Sequence, residues 1–286
     1  MNLVDRVRRI GSEAIGDNIT GEAAKAAYYF FLSLFPMILV LFGATSMVGG
    51  EAAFDRIMSW LDTALPDAAT SQLEAVVRDV TRDRRPDALS LGILLTLWAA
   101  SNFFAALGDG LDVIFGVHDR SSWLRKRGKA VLLMFVGGTL LMAAALALVA
   151  GPQIAGIIGL SPVAHWLAWP IVFVMLVALF WLIYYILPAH DQSSMRKELF
   201  VGAVVGTVLW ILAAIIFRFY VSNIADFERM YGFIGGIIVL LLWLYITSLA
   251  ILLGGEVAHV VADERAGSTT TIHVEPGPRS LRENTG

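Results

Sequence analysis

Apolar residues in this chain run in long blocks, and six blocks are long enough to cross a bilayer, which takes about 20 mostly apolar residues in a helix. The blocks are Ala26 to Val48, Leu89 to Leu107, Ala130 to Ala150, Val163 to Leu187, Phe200 to Tyr220 and Phe233 to Gly255. This pattern predicts an all-α, polytopic membrane protein with six transmembrane helices in a domain covering residues 23–262. Ahead of it, Leu3, Val4, Val7, Ile10, Ala14 and Ile15 recur at helical spacing while Arg6, Arg9, Glu13 and Asp17 take other faces. Residues 1–22 therefore read as an amphipathic helix, lying either on the membrane surface or against the bundle. The long connection 49–88 carries two helical stripes, one of Phe54, Ile57, Met58, Leu61 and Leu65 ended by Pro66, the other of Leu73, Val76, Val77 and Val80. Ser71 and Glu74 have the spacing of a capping box for the second stripe. A two-helix cap is expected there, as a lid or simply as a solvated cover. Residues 263–286 contain Gly267, Pro276, Gly277 and Pro278 and are expected to form a disordered tail.

Composition strengthens this reading. Hydrophobic residues make up 57% of the 286 and charged ones only 16%, with a mean hydropathy of +0.72, too apolar for a domain whose surface faces water. The net charge of −3 says less than the placement of the 21 Lys and Arg residues. Fourteen fall in the N-terminal segment, the second and fourth connections and the C-terminal tail, against six in the alternate segments. The excess of basic residues on cytoplasmic loops then puts both termini in the cytoplasm and the cap on the opposite face. The first ~20 residues lack an apolar core of the kind a cleavable signal peptide needs. With no cysteine in the chain, disulfides, thiolate metal sites and cysteine nucleophiles are excluded.

Polar groups and helix breakers are costly within a bilayer, so those inside the apolar blocks are the first functional candidates. Arg218 lies inside the fifth block; it either snorkels to the interface or faces a cavity and holds an anionic group such as a lipid phosphate. Pro36 removes a backbone donor in the first block and frees the carbonyl near Leu32, which Ser33 is placed to help satisfy. Asn102, Asp109 and Asp112 share roughly one helical face, as a polar seam lining a path or as ordinary interhelical and solvent-facing groups. Together these six residues are the candidate substrate-binding set. Gly202 and Gly206 form a GxxxG pattern for close helix packing. Tyr184 and Tyr185 read as an interfacial belt. Glu256 and His259 have ExxH spacing, but no second such pair exists, so no metal site is expected. No hydrolase or nucleotide-binding motif is present, and neither an enzyme nor a cofactor is expected.

Three segments, Ala23 to Pro36 (AAKAAYYFFLSLFP), Leu97 to Val117 (LWAASNFFAALGDGLDVIFGV) and Tyr231 to His259 (YGFIGGIIVLLLWLYITSLAILLGGEVAH), resemble in order and spacing the characteristic segments of the YihY/BrkB family of bacterial inner-membrane proteins. The resemblance implies six helices in a bacterial inner membrane. Other members of that family are linked to serum resistance, envelope lipid transport and cation/proton exchange, while the family's older label, ribonuclease BN, is regarded as a misassignment. Family members commonly carry Asn where this chain has Asp112. The leading expectation is a transporter or flippase-like protein for an anionic, amphipathic envelope lipid or lipid-linked precursor. The alternatives are a scaffold that binds envelope proteins without moving anything, and a cation/proton antiporter, for which no carboxylate in mid-bilayer is found. The expected partners are membrane lipids and envelope proteins, with no nucleic acid.

Overall fold

A computed structural model describes residues 3–48, 86–117, 122–149, 161–189, 192–223 and 233–271. All regular structure among them is helical: α1 (Leu3–Gly16), α2 (Ile19–Val48), α3 (Pro86–Ile114), α4 (Trp123–Val149), α5 (Ser161–Ile186), a 3-10 turn (Ser193–Met195), α6 (Arg196–Asn223) and α7 (Phe233–Thr271). Each of the six apolar blocks coincides, to within one residue, with part of one of the helices α2 to α7. Among the described residues, three segments are long and apolar enough to cross a membrane: Trp169–Ile186, Arg196–Val221 and Gly235–Ala266. The expected cap falls outside the described residues except for 86–88, which begin α3 with Pro86 in the first position, where its missing N–H costs nothing.

Each long helix packs on the next in sequence, and α7 returns to α2, so α2 to α7 form a closed ring with a further contact between α3 and α7. The buried core runs through the N-terminal parts of α2, α4 and α6 and the C-terminal parts of α3, α5 and α7. Successive helices therefore alternate in direction, and these six ends make one closed end of the ring. Large apolar side chains such as Leu94, Phe135, Val174, Ile216 and Phe219 lie exposed on its outside, as they do when the surrounding solvent is lipid.

Helix α1 lies against the closed end with its polar side inward. Arg6 pairs with Glu264 (2.7 Å) and Arg9 with Asp263 (2.8 Å), both on α7, while Val4, Val7 and Ile15 are exposed. The stripe is thus divided: Val4, Val7 and Ile15 face outward, while Ala14 packs against the buried core. The same ion pairs correct the expected disorder from residue 263. Residues 263–271 continue α7, because no Gly or Pro capable of ending it occurs between Val257 and Ala266 and its acids meet arginines on α1.

Candidate functional site

Helix α3 ends at the closed end in a motif that fixes its last carboxylate. Gly116 takes a positive φ of 61°, the N–H of Val117 bonds the carbonyl of Asp112 (2.8 Å) and that of Gly116 the carbonyl of Val113 (3.0 Å). This is the glycine-terminated helix end that needs no β-carbon at the turn. Asp112 is thereby aimed sideways, buried at 7% exposure. Its Oδ1 accepts the backbone N–H of Ala189 just after α5 (2.6 Å), and its Oδ2 pairs with Lys126 of α4 (2.9 Å). Lys126 also reaches Asp109 (3.0 Å), whose other oxygen lies 3.6 Å from Lys25 of α2, and Lys25 in turn pairs with Glu22 (2.5 Å). Lys129 donates to the carbonyl of Pro188 (2.5 Å). One network of alternating charges thus joins α2, α3 and α4 to the chain following α5.

The electrostatics follow from that geometry. Burial disfavours the charged form of Lys126, but its hydrogen bonds to Asp112 and Asp109 and their negative charge more than offset this, so its pKa lies above the ordinary lysine value. Two residues of the same helix turn diverge: Lys126 enters the network, whereas Arg127 donates to Asn102 Oδ1 (2.5 Å) and to the carbonyl of Trp98 (2.7 Å).

The structure brings together only part of the sequence-derived set. Asn102, Asp109 and Asp112 do lie along one side of α3, each engaged by a cation, so the aspartates are not simply solvent-facing. Ser33 is buried, and its hydroxyl donates to the carbonyl of Phe30 (2.6 Å) rather than to that of Leu32. Pro36 lies within α2, which continues through it. Arg218 is exposed on α6 beside Ile215, Ile216 and Phe219. It lies about 33 Å of helix away from Arg196 at the closed end, so it forms no single site with Asn102, Asp109 and Asp112.

Three features were not legible beforehand as they turned out. Tyr184, expected in an interfacial belt, is fully buried and donates to the carbonyl of Ile251 (2.7 Å). It does so where Gly202 and Gly206 of α6 meet Gly254 of α7, which turns the GxxxG expectation into a three-helix contact. Glu256 is fully buried, and among the described residues no group other than the neighbouring Glu13 carboxyl is placed to hydrogen-bond its carboxylate oxygens. The charged groups around it are Glu13, Asp17 and Arg9 of the α1 segment. His259 lies 4.0 Å from Asp263, and no group of three or more His, Asp or Glu side chains among the described residues is placed to hold a metal ion.

Asp17, in the turn joining α1 to α2, has its pKa raised, first by burial and further by Glu13, with His259 opposing. An acid whose folded pKa exceeds its unfolded one binds more protons in the native state, so stability is lost as pH rises from about 4 through the raised value. Thermal unfolding of the detergent-solubilised protein is expected to show this fall, and Asp17→Asn to flatten it. A pH profile unchanged by the substitution would contradict the assignment.

Comparison with known proteins adds the following. Residues 10–277 match the family model described as virulence factor BrkB. The chain is 31% identical to a putative ribonuclease-like protein, YfkH, of Bacillus subtilis, over 82% of this chain and 87% of that protein. It is 25% identical to a UPF0761 membrane protein of Aeromonas salmonicida, over 84% and 83% of the two chains. A UPF0761 membrane protein of Pseudoalteromonas atlantica is 23% identical, over 89% and 85%. No solved structure matches the chain.

Proposed function

The chain belongs to the BrkB family of membrane proteins, and from that premise we propose that it is a six-span inner-membrane transporter or flippase-like protein for an anionic envelope lipid, with both termini in the cytoplasm. The closed end of the ring is then the cytoplasmic end. The observation that carries this reading is the network of Lys25, Asp109, Lys126 and Asp112 that clasps α2, α3 and α4. Its lysines and Asp109 are each about a third to a half exposed. Ion pairs within reach of water exchange partners at little cost, so the links of Asp109 to Lys25 and Lys126 can open and reform around the buried Lys126–Asp112 pair, as alternating exposure of a path between helices requires. Ser33 and Pro36 shape the α2 wall of that path, and Arg218 meets a headgroup near the opposite face. No step calls for an enzyme, a metal or nucleic acid.

A second reading, a scaffold that moves nothing, draws on the apolar packing of the closed end, where Leu107, Leu111, Leu199 and Leu252 are completely buried. Transbilayer movement of fluorescent phosphatidylglycerol in proteoliposomes separates the two. Acceleration over protein-free vesicles is the expected result, and its absence would favour the scaffold.

A further inference from the structure

Lys126 and Arg127 are neighbours in sequence, yet their charges meet opposite fates. Lys126 is balanced by two carboxylates. Among the described residues Arg127, half buried between α3 and α4, meets only neutral groups: the side-chain oxygen of Asn102, the carbonyl of Trp98, and the Trp98 ring 5.6 Å from its guanidinium carbon. No carboxylate pairs with it among the described residues, and burial lowers its pKa. A guanidinium carries five N–H donors; the two described bonds leave three for another acceptor.

The surroundings say where that acceptor comes from. On α3, Leu94, Leu95, Trp98 and Asn102 share one face by their spacing of three to four residues. Leu94 and Leu95 are exposed, and Trp98 is 59% exposed. On α4, Leu132 and Phe135 are exposed beyond Arg127, and Trp123 is exposed one turn before it. Arg127 therefore sits in a seam open to the outside of the ring, with an apolar surface on one side and indoles bracketing it. Indoles settle where hydrocarbon gives way to headgroups. A half-buried cation at that boundary gains most from an anion that arrives with its own apolar chains.

We propose that the α3–α4 seam is a binding site for an anionic phospholipid, whose phosphodiester oxygens take the remaining N–H groups of Arg127 while its acyl chains lie along Leu94, Leu95 and Phe135. Asn102 and the Trp98 carbonyl hold the guanidinium in place, and the Trp98 ring covers one of its faces. The site requires only that the chain be embedded in lipid. It stands even if no lipid is moved, so its test is separate from the transport assay.

Native mass spectrometry of the full-length protein, with phosphatidylglycerol and phosphatidylcholine of matched chains, reads the site directly. The wild type is expected to retain phosphatidylglycerol about tenfold better, and Arg127→Gln to lose that preference. Trp98→Leu keeps Arg127 and the apolar surface but removes the ring's attraction for the cation, and should cost about threefold. It also serves if Arg127→Gln does not fold. Excess inorganic phosphate should leave the lipid adduct intact. The proposal is overturned if both lipids bind equally, if both variants keep the wild-type preference, or if inorganic phosphate displaces the lipid, which would make this a free-anion site.

Discussion

Lys126→Met is expected to destabilise the detergent-solubilised protein by about 3 kcal/mol, the low end for breaking a buried pair, because about a third of the lysine side chain is exposed. The loss arises less from the missing attraction than from what remains. Asp112 keeps its hydrogen bond from the Ala189 N–H but is left as a buried carboxylate without a counter-charge, and Asp109 faces it with only Lys25 at 3.6 Å in partial compensation. Adding Asp112→Asn should recover much of the loss, since an amide oxygen still accepts from Ala189 and no longer needs a cation. Thermal unfolding of the two single variants and the double variant gives the coupling. Additive losses would show that the ion pair does not hold this end of the ring.

Gly254→Ala should be as damaging for a purely steric reason. A β-carbon there would run into the Tyr184 hydroxyl and stand 2.8 Å from both the Gly202 carbonyl oxygen and the Gly206 Cα. Two of these three neighbours are backbone and cannot step aside without pushing α6 off α7. Overpacking of this kind costs about 1–3 kcal/mol, and displacing Tyr184 forfeits its bond to Ile251, about 1 kcal/mol more. Gly236→Ala is the matched control, because a β-carbon at that point of α7 meets nothing within 4 Å. A similar drop in melting temperature for both would mean that glycine flexibility, rather than close approach, is what Gly254 supplies.

The two variants also mark what the sequence could and could not tell. Long apolar blocks were readable because a helix in lipid leaves no choice about its surface, so the six runs fell on α2 to α7. Glycine spacing gave the α6 face of a close contact for the same reason, although the third glycine and the tyrosine wedged beside it come from other helices. The charged network was invisible as a network. Lys126 lies 14 residues from Asp112 on the following helix, and Lys25 lies on another helix still, so sequence alone marks each as an indicator of orientation instead of a partner for a carboxylate. Tyr184 was misplaced because an aromatic near the end of an apolar block looks the same whether it faces lipid or three helices. The reach of α7 beyond residue 263 depended on Arg6 and Arg9, more than 250 residues away. Arg218 was conspicuous by composition alone and stands apart from the rest, whereas Arg127, unremarked among four other basic residues, is half buried between two helices with no carboxylate beside it among the described residues.

Whether this bundle carries an anionic lipid across the membrane is read from the relative transbilayer rates of fluorescent phosphatidylglycerol and phosphatidylcholine in proteoliposomes containing the wild-type protein. Phosphatidylglycerol is expected to move faster than in protein-free vesicles and faster than phosphatidylcholine in the same vesicles. Rates for both lipids equal to those of protein-free vesicles would contradict that expectation.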